Sequence, residues 1–382
     1  MPFQRLVLVV LFLIVCSTSS FAQSKEKKFA LKDSLDGKLD ASDFLIDANG
    51  FIPMPQIITE PSLGYFGLVF APIFIHPNKY AKKTDGYVPP NITVGFAGVT
   101  ANKTWIVGGM RIAHLPQYGL KYRFGTAYTS ANVDFYRDVP LVGEKSFSFN
   151  FKAIPVFGSL TKKIGNTQWY AGVEYLFLVN EVRPEFDMTD PPDFLEKYDP
   201  EHMMSSPGIL VEYDGRDNIF TPNTGTLFSN DYRINASWTG SDYNFQNYSF
   251  NLQQYFQMND RWVNAFHLDG KVIWGDAPFY VLPMINMRGV PRSRYQGRQA
   301  YLLETEQRYD FTMRWSAVVF GGVAKAFGGT YSFEEAPWVY SYGSGFRYLI
   351  ARKFGLRMGI DLALSNDDFG YYITFGSAWP KS

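Results

Sequence analysis

From about residue 62 onward, apolar side chains recur at every second position, and the pattern continues almost to the end of the chain. A period of two marks a β-strand with one apolar face, because successive Cβ atoms point to opposite sides of an extended backbone. In the run from Asn247 to Met258, Tyr248, Phe250, Leu252, Phe256 and Met258 fall on one face. Asn247, Ser249, Asn251, Gln253 and Gln257 fall on the other, and only Gln254 and Tyr255 break the alternation. Residues 299–316 read as one longer run, with Tyr301, Leu303, Tyr309, Phe311, Met313 and Trp315 opposite Glu304, Glu306, Arg308, Asp310 and Arg314. Near the C-terminus, Leu356, Met358, Ile360, Leu362 and Leu364 alternate with Arg357, Gly359, Asp361, Ala363 and Ser365.

Such alternation suits either a soluble β-sandwich or a membrane barrel with lipid outside and water inside. Three features choose the barrel. The strands reach roughly ten residues or more, the length a tilted strand needs to cross a bilayer. Aromatic residues make up 18% of the chain, and Trp105, Trp169, Tyr170, Trp262, Trp274, Trp315, Trp338 and Trp379 stand near strand ends, where an interfacial girdle would place them. Turns rich in Gly, Asn and Asp separate the segments as far as Phe375, with no helical domain between them. At about 20 residues per strand and turn, the expectation is an all-β, transmembrane antiparallel β-barrel of about 16 strands.

The N-terminus reads as a secretory signal peptide, residues 1–22. Arg5 precedes an apolar run from Leu6 to Val15, and Ser20-Phe21-Ala22 supplies a cleavage site. That run is too short to span a bilayer as a helix. The single cysteine, Cys16, lies inside it, so the mature chain would hold no thiol; lipidation at Cys16 would want a small residue at position 15, where Val15 stands. Export plus a barrel gives an integral protein of the bacterial outer membrane, with outer-membrane lipid as its first partner. Residues 23–61 are polar and charged and read as a periplasmic segment or plug, with the barrel at 62–382.

The 36 basic and 36 acidic side chains cancel, so nothing draws the chain toward nucleic acid. No enzyme is expected either. There are four histidines, no GxSxG elbow, no HExxH and no phosphate-binding GxxxxGK[ST], and nothing calls for a cofactor or a metal. Asp368-Phe369-Gly370 reads as a turn before the last strand. His267 and Asp269 share one side of a strand, but no motif places a nucleophile beside them for phospholipase chemistry.

Three patches in a fixed order carry more. In residues 208–226, Glu212, Asp214 and Arg216 face inward, and Asp217, Asn218, Pro222 and Gly225 make a tight reversal. Residues 287–299 gather four arginines around Arg288-Gly289, followed by an acidic strand. The C-terminal run holds two alternating strands and a last one ending near Phe375 and Trp379. Over residues 205–379, about half the chain, this order resembles the bacterial surface antigen superfamily, the BamA/TamA-type barrels that insert or translocate proteins at the outer membrane. The resemblance implies a 16-stranded barrel whose sixth extracellular loop folds inward. Arg288 matches the loop-tip arginine and Gly289 its turn, with Glu306 and Glu304 as partner carboxylates. It also implies assistance with insertion, assembly or translocation, alongside a periplasmic or outer-membrane protein partner. A passive channel or structural barrel is the alternative. Two departures stand out. Gly322 and Ala324 occupy positions where the family pattern has Asp and Gly, and residues 23–61 are too few for a periplasmic POTRA domain.

Overall fold

The computed structural model describes residues 31–47, 51–58, 64, 66–76, 78, 90–139, 143–186, 200–366 and 368–379. The expected signal peptide lies outside the described residues. A short helix, α1 (Ser42–Asp47), precedes sixteen strands. The first eight are β1 (Phe51–Ile58), β2 (Gly67–His76), β3 (Asn91–Thr100), β4 (Trp105–Leu115), β5 (Leu120–Val139), β6 (Gly143–Lys163), β7 (Trp169–Pro184) and β8 (Glu201–Asp214). The second eight are β9 (Gly225–Asn235), β10 (Phe245–Asn259), β11 (Trp262–Gly275), β12 (Gln299–Asp310), β13 (Trp315–Phe327), β14 (Val339–Ala351), β15 (Leu356–Ser365) and β16 (Phe369–Phe375).

Each strand pairs antiparallel with its neighbours in the chain, giving one 16-stranded sheet in sequence order. The sheet curls until β1 and β16 lie side by side, so the barrel is nearly closed. Its outer surface is apolar: Leu303, Val319, Leu362 and Phe346 are all exposed, as lipid-facing positions are. Ion pairs and amides fill the inner side, including Glu212 with Lys121 and Arg123. One rim carries tight turns such as 260–261, 311–314 and 352–355; the other carries longer connections such as 276–298 and 328–338. Short periplasmic turns and longer outer loops are the rule for membrane barrels, and the rim bearing 260–261, 311–314 and 352–355 is called the short-turn rim below.

Three sequence expectations need correction. The sheet begins at Phe51, before residue 62, because Pro53 and Pro55 disguise β1 as a linker. The run 299–316 is two strands, broken at 311–314 by a reversal that uses no Gly or Pro; the alternation carries on through the turn because Phe311 and Met313 still point outward. Trp379 is no girdle residue. It is buried inside, whereas Trp105, Trp169, Trp262, Trp274, Trp315 and Trp338 are exposed. Tyr170 likewise lies under the Lys121 ammonium, 3.6 Å from its ring centroid.

Residues 31–40 form a small hairpin, bridged at Lys32 and Leu39 and turned at Gly37 with φ of 67°. It grips the short-turn rim. Arg314 donates to Asp36 at 2.7 Å and Asp40 at 2.5 Å, and also to Asp33; Arg352 donates to Asp33 at 2.5 Å. The Arg352 bond holds the Asp33 carboxyl well below its ordinary value of 3.8, and the Arg314 bond does the same for Asp36. Burial pushes Asp40 up, but its bonds from Ser42 and Arg314 outweigh that. Depressed carboxylates contribute stability above their unfolded pKa and lose it as pH falls through the folded values. The hairpin is therefore expected to stay docked at neutral pH and to release below about pH 4. Trypsin does not work at that acidity, so amide exchange at residues 31–41, followed from pH 7 to pH 2.5, is the check.

Candidate functional site

Two features converge on one side of the barrel: the Arg288 loop and the β1/β16 edge. The loop joins β11 to β12 and is narrowed by a bridge between Met284 and Gln296. Ile285, Met287 and Val290 are buried against Ala300, Leu302, Ala324, Ala326 and Val339. Each such side chain contributes roughly 1.5–3 kcal/mol on burial, enough to hold a loop of this length against the wall.

That packing presents Arg288. Its Nη1 donates to Glu306 Oε2 on β12 at 2.9 Å and to Asp361 Oδ2 on β15 at 2.7 Å. The guanidinium carbon lies over the ring of Phe320 of β13, 3.5 Å from its centroid, an arrangement that favours a cation. Arg347 on β14 joins Asp361 from the other side, with Nη2 to Oδ2 at 2.9 Å, and stands 3.8 Å from Glu306. Two arginines and two carboxylates thus cancel in a site where Asp361 is fully buried. Gly289 turns with φ of 84°, and its N–H donates to Tyr372 Oη on β16 at 2.7 Å. A Cβ there would sit 3.2 Å from the Ala363 side chain and Leu364 backbone, so both strain and crowding favour glycine. Ser341 Oγ donates to Arg288 O, and Ser365 Oγ donates to Gly289 O at 2.7 Å. The loop tip therefore touches β12, β13, β14, β15 and β16 together.

Glu304 is placed differently from the expectation. Its Oε2 meets His267 Nδ1 on β11 at 3.0 Å rather than bonding Arg288 directly. His267 Nε2 faces Asn251 at 2.6 Å, so both ring nitrogens are engaged. Gly322 explains the departure from the family pattern. A Cβ at 322 would meet Glu304 Cγ at 2.7 Å and Met287 Sδ at 2.8 Å, so the loop's methionine fills the space an aspartate would need. The carboxylate comes instead from Asp361, which sequence reasoning placed in an alternating strand without singling it out. It was findable as the only carboxylate on the inward face of that strand.

The expected turn residues assemble at the short-turn rim. Asp214 binds Arg216 through two 2.9 Å bonds, and Asp217 Oδ1 accepts from the N–H groups of Asn223 and Thr224. Pro222 O accepts from Arg308 of β12 at 3.3 Å, leaning the turn between β8 and β9 against the inner face of β12. Gly225 has φ of 104°, and a Cβ there would collide with Gly215 O at 2.2 Å. Phe375 ends β16 opposite Met358. The chain then turns at Gly376 and sends Trp379 over His267, with ring centroids 5.1 Å apart; Gln253 Nε2 donates to Trp379 O at 3.3 Å.

The seam is decided by proline positions. Among the described residues no hydrogen-bonded ladder joins β1 to β16. Pro53 stands opposite Pro72 of β2, and a narrow antiparallel pair would require both to exchange N–H bonds that neither can make. The pair is therefore the wide kind, with each backbone nitrogen aimed away from its partner. Pro72 then faces β3, where the ladder lapses at Ala71 and Pro72. Pro53 and, by parity, Pro55 face the free edge toward β16. Along that edge, Phe51, Pro53, Pro55 and Ile57 offer carbonyls, but only Phe51 and Ile57 offer N–H donors.

No family model matches the sequence, and no curated protein does. Solved structures do match. BamA from Haemophilus ducreyi lacking POTRA domains 1–3 superposes with a TM-score of 0.59 at 10% identity, over 84% of this chain and 69% of that one. The fold is that of the BamA barrel. CdiB from Escherichia coli gives 0.56 at 9% identity, covering 84% and 61%, and CdiB from Acinetobacter baumannii gives 0.53 at 11%, covering 85% and 59%. This chain thus spans less than two thirds of either CdiB and somewhat more of the BamA chain. The BamA-type barrel is shared, with sixteen strands in sequence order.

Proposed function

We propose that this chain is an outer-membrane barrel that assists the insertion, assembly or translocation of outer-membrane or surface components, working with a protein partner. The carrying observation is the seam: β1 presents an edge poor in donors, and among the described residues β16 has no ladder on its β1 side. Each ladder bond contributes about 0.5–1.5 kcal/mol net, so the two missing donors cost a zipped seam about 1–3 kcal/mol relative to a proline-free strand. An incoming strand that carries all its donors pairs with β16 better than β1 can. Exchange of partners then needs no covalent chemistry. The Arg288 loop supports the same reading, since it ties β12 through β16 into one body while β1 stays outside that set. Similarity to BamA in fold, and the sequence resemblance over residues 205–379, support the outer membrane as the location.

The alternative, a passive channel, needs an open lumen. Contacts from the Arg288 loop, the 215–224 turn and the Trp379 tail crowd the inner side of β10, β12 and β15, and this crowding favours the first reading. The test is to place the protein in phospholipid vesicles and follow an unfolded small outer-membrane barrel as it folds, by its heat-modifiable migration on gels. Folding several-fold faster than in vesicles holding a fully zipped barrel is expected. Equal rates, with ion conductance through this protein, would favour the channel.

A further inference from the structure

The hairpin at 31–40 has two unlike faces. Asp33, Asp36 and Asp40 turn toward the rim and close on Arg314, which is almost fully buried. Leu31, Leu35 and Leu39 turn away and remain 49%, 69% and 52% exposed. Three bare leucines on a ten-residue element are costly in water, and each would gain by leaving it. Where they sit decides what covers them. Leu39 O accepts a 2.8 Å bond from Tyr348 Oη, and Tyr348 packs edge-on against Trp315, with ring centroids 4.8 Å apart. Trp315 belongs to the exposed aromatic set on the outer wall, and Phe311 and Met313 point outward from the very turn that the hairpin grips. The apolar band of the barrel therefore continues onto the hairpin. Lys32 and Lys38, both exposed, border the leucines, the pattern of a segment whose apolar face enters a bilayer boundary while its ammonium groups stay among the headgroups.

We infer that the leucine face of this hairpin is a lipid-contact surface, seated on the phospholipid leaflet at the short-turn rim. The inference concerns a surface outside the seam and stands or falls independently of the insertion reading. It needs only that the barrel spans a membrane. Neutralising Arg314 is what makes the arrangement possible. The three carboxylates occupy the cation internally and orient the hairpin, and the leucines are left for the lipid. The hairpin then widens the barrel's footprint at one sector of the rim, below β13 and β14.

The experiment uses the full chain with Cys16→Ser, carrying Leu31→Cys, Leu35→Cys or Leu39→Cys one at a time, each spin-labelled and reconstituted in phospholipid vesicles. Relaxation by oxygen, which concentrates in lipid, is compared with relaxation by a water-soluble nickel complex. Val319→Cys on the outer wall gives the lipid reference, and Asp260→Cys on an exposed turn gives the water reference. All three positions are exposed, so folding should persist, and heat-modifiable migration verifies it for each variant. Oxygen dominating at the leucine positions, as at position 319, is the expected result. Nickel dominating, as at position 260, would mean that the face meets water. Exclusion of both reagents would mean that protein covers it. Either of the last two results overturns the inference.

Discussion

Arg288→Ala is expected to detach the loop tip from the wall and to lower the temperature at which the barrel loses its heat-resistant gel migration. The alanine removes the cation shared by Glu306 and Asp361 and leaves Arg347 facing two carboxylates, one of them fully buried. Breaking one partner out of a buried ion cluster costs about 3–5 kcal/mol, far more than an exposed pair would. The Glu306 side chain keeps 16% of its surface exposed, so the lower end of that range is the better expectation. Arg288→Lys keeps the charge but loses the guanidinium contact with Phe320, so it should fall between the native chain and the alanine variant. If Arg288→Ala migrates and melts like the native chain, the cluster holds nothing in place.

Arg314→Ala should have the second large effect, and a local one. Its three nitrogens each serve the hairpin, and among the described residues no other rim cation reaches both Asp36 and Asp40. Without it, three close carboxylates repel one another, with Arg352 left to hold Asp33. The hairpin is expected to open while the barrel stays folded. In detergent, trypsin should then cut after Lys32 and Lys38 roughly tenfold faster or more, since cleavage follows the open population when opening is fast. An unchanged cleavage rate with intact barrel migration would show that the ion cluster does not hold the hairpin down.

The sequence made the barrel legible because its physics is written at every second residue. Leu303, Leu362 and Phe346 face lipid where parity puts them, and even the interruption at Gln254 and Tyr255 keeps register, with Tyr255 buried inside. Position 288 was legible through a short tip motif, and Glu306 through its strand parity. Asp361 was harder to read: strand parity makes it the one inward carboxylate of β15, but nothing local ties that strand to a loop tip 73 residues away. β1 was hidden for a different reason. Proline reads as a strand breaker, yet on an edge whose nitrogens face no partner it is tolerated, and only the pairing of Pro53 with Pro72 reveals which way those nitrogens point. The hairpin was unreadable because its three aspartates look like solvated charge until Arg314 is brought to them across 274 to 281 residues.

A donor-poor β1 edge keeps the seam available, and one comparison tests it: client folding in vesicles holding the native chain against vesicles holding the Pro53→Val/Pro55→Val double variant. Valine supplies the missing N–H groups and suits a strand. The double variant is expected to zip, resist heat better than the native chain, and slow client folding to the rate seen in lipid alone. If it zips and still accelerates folding as well as the native chain does, the seam is not where this protein works.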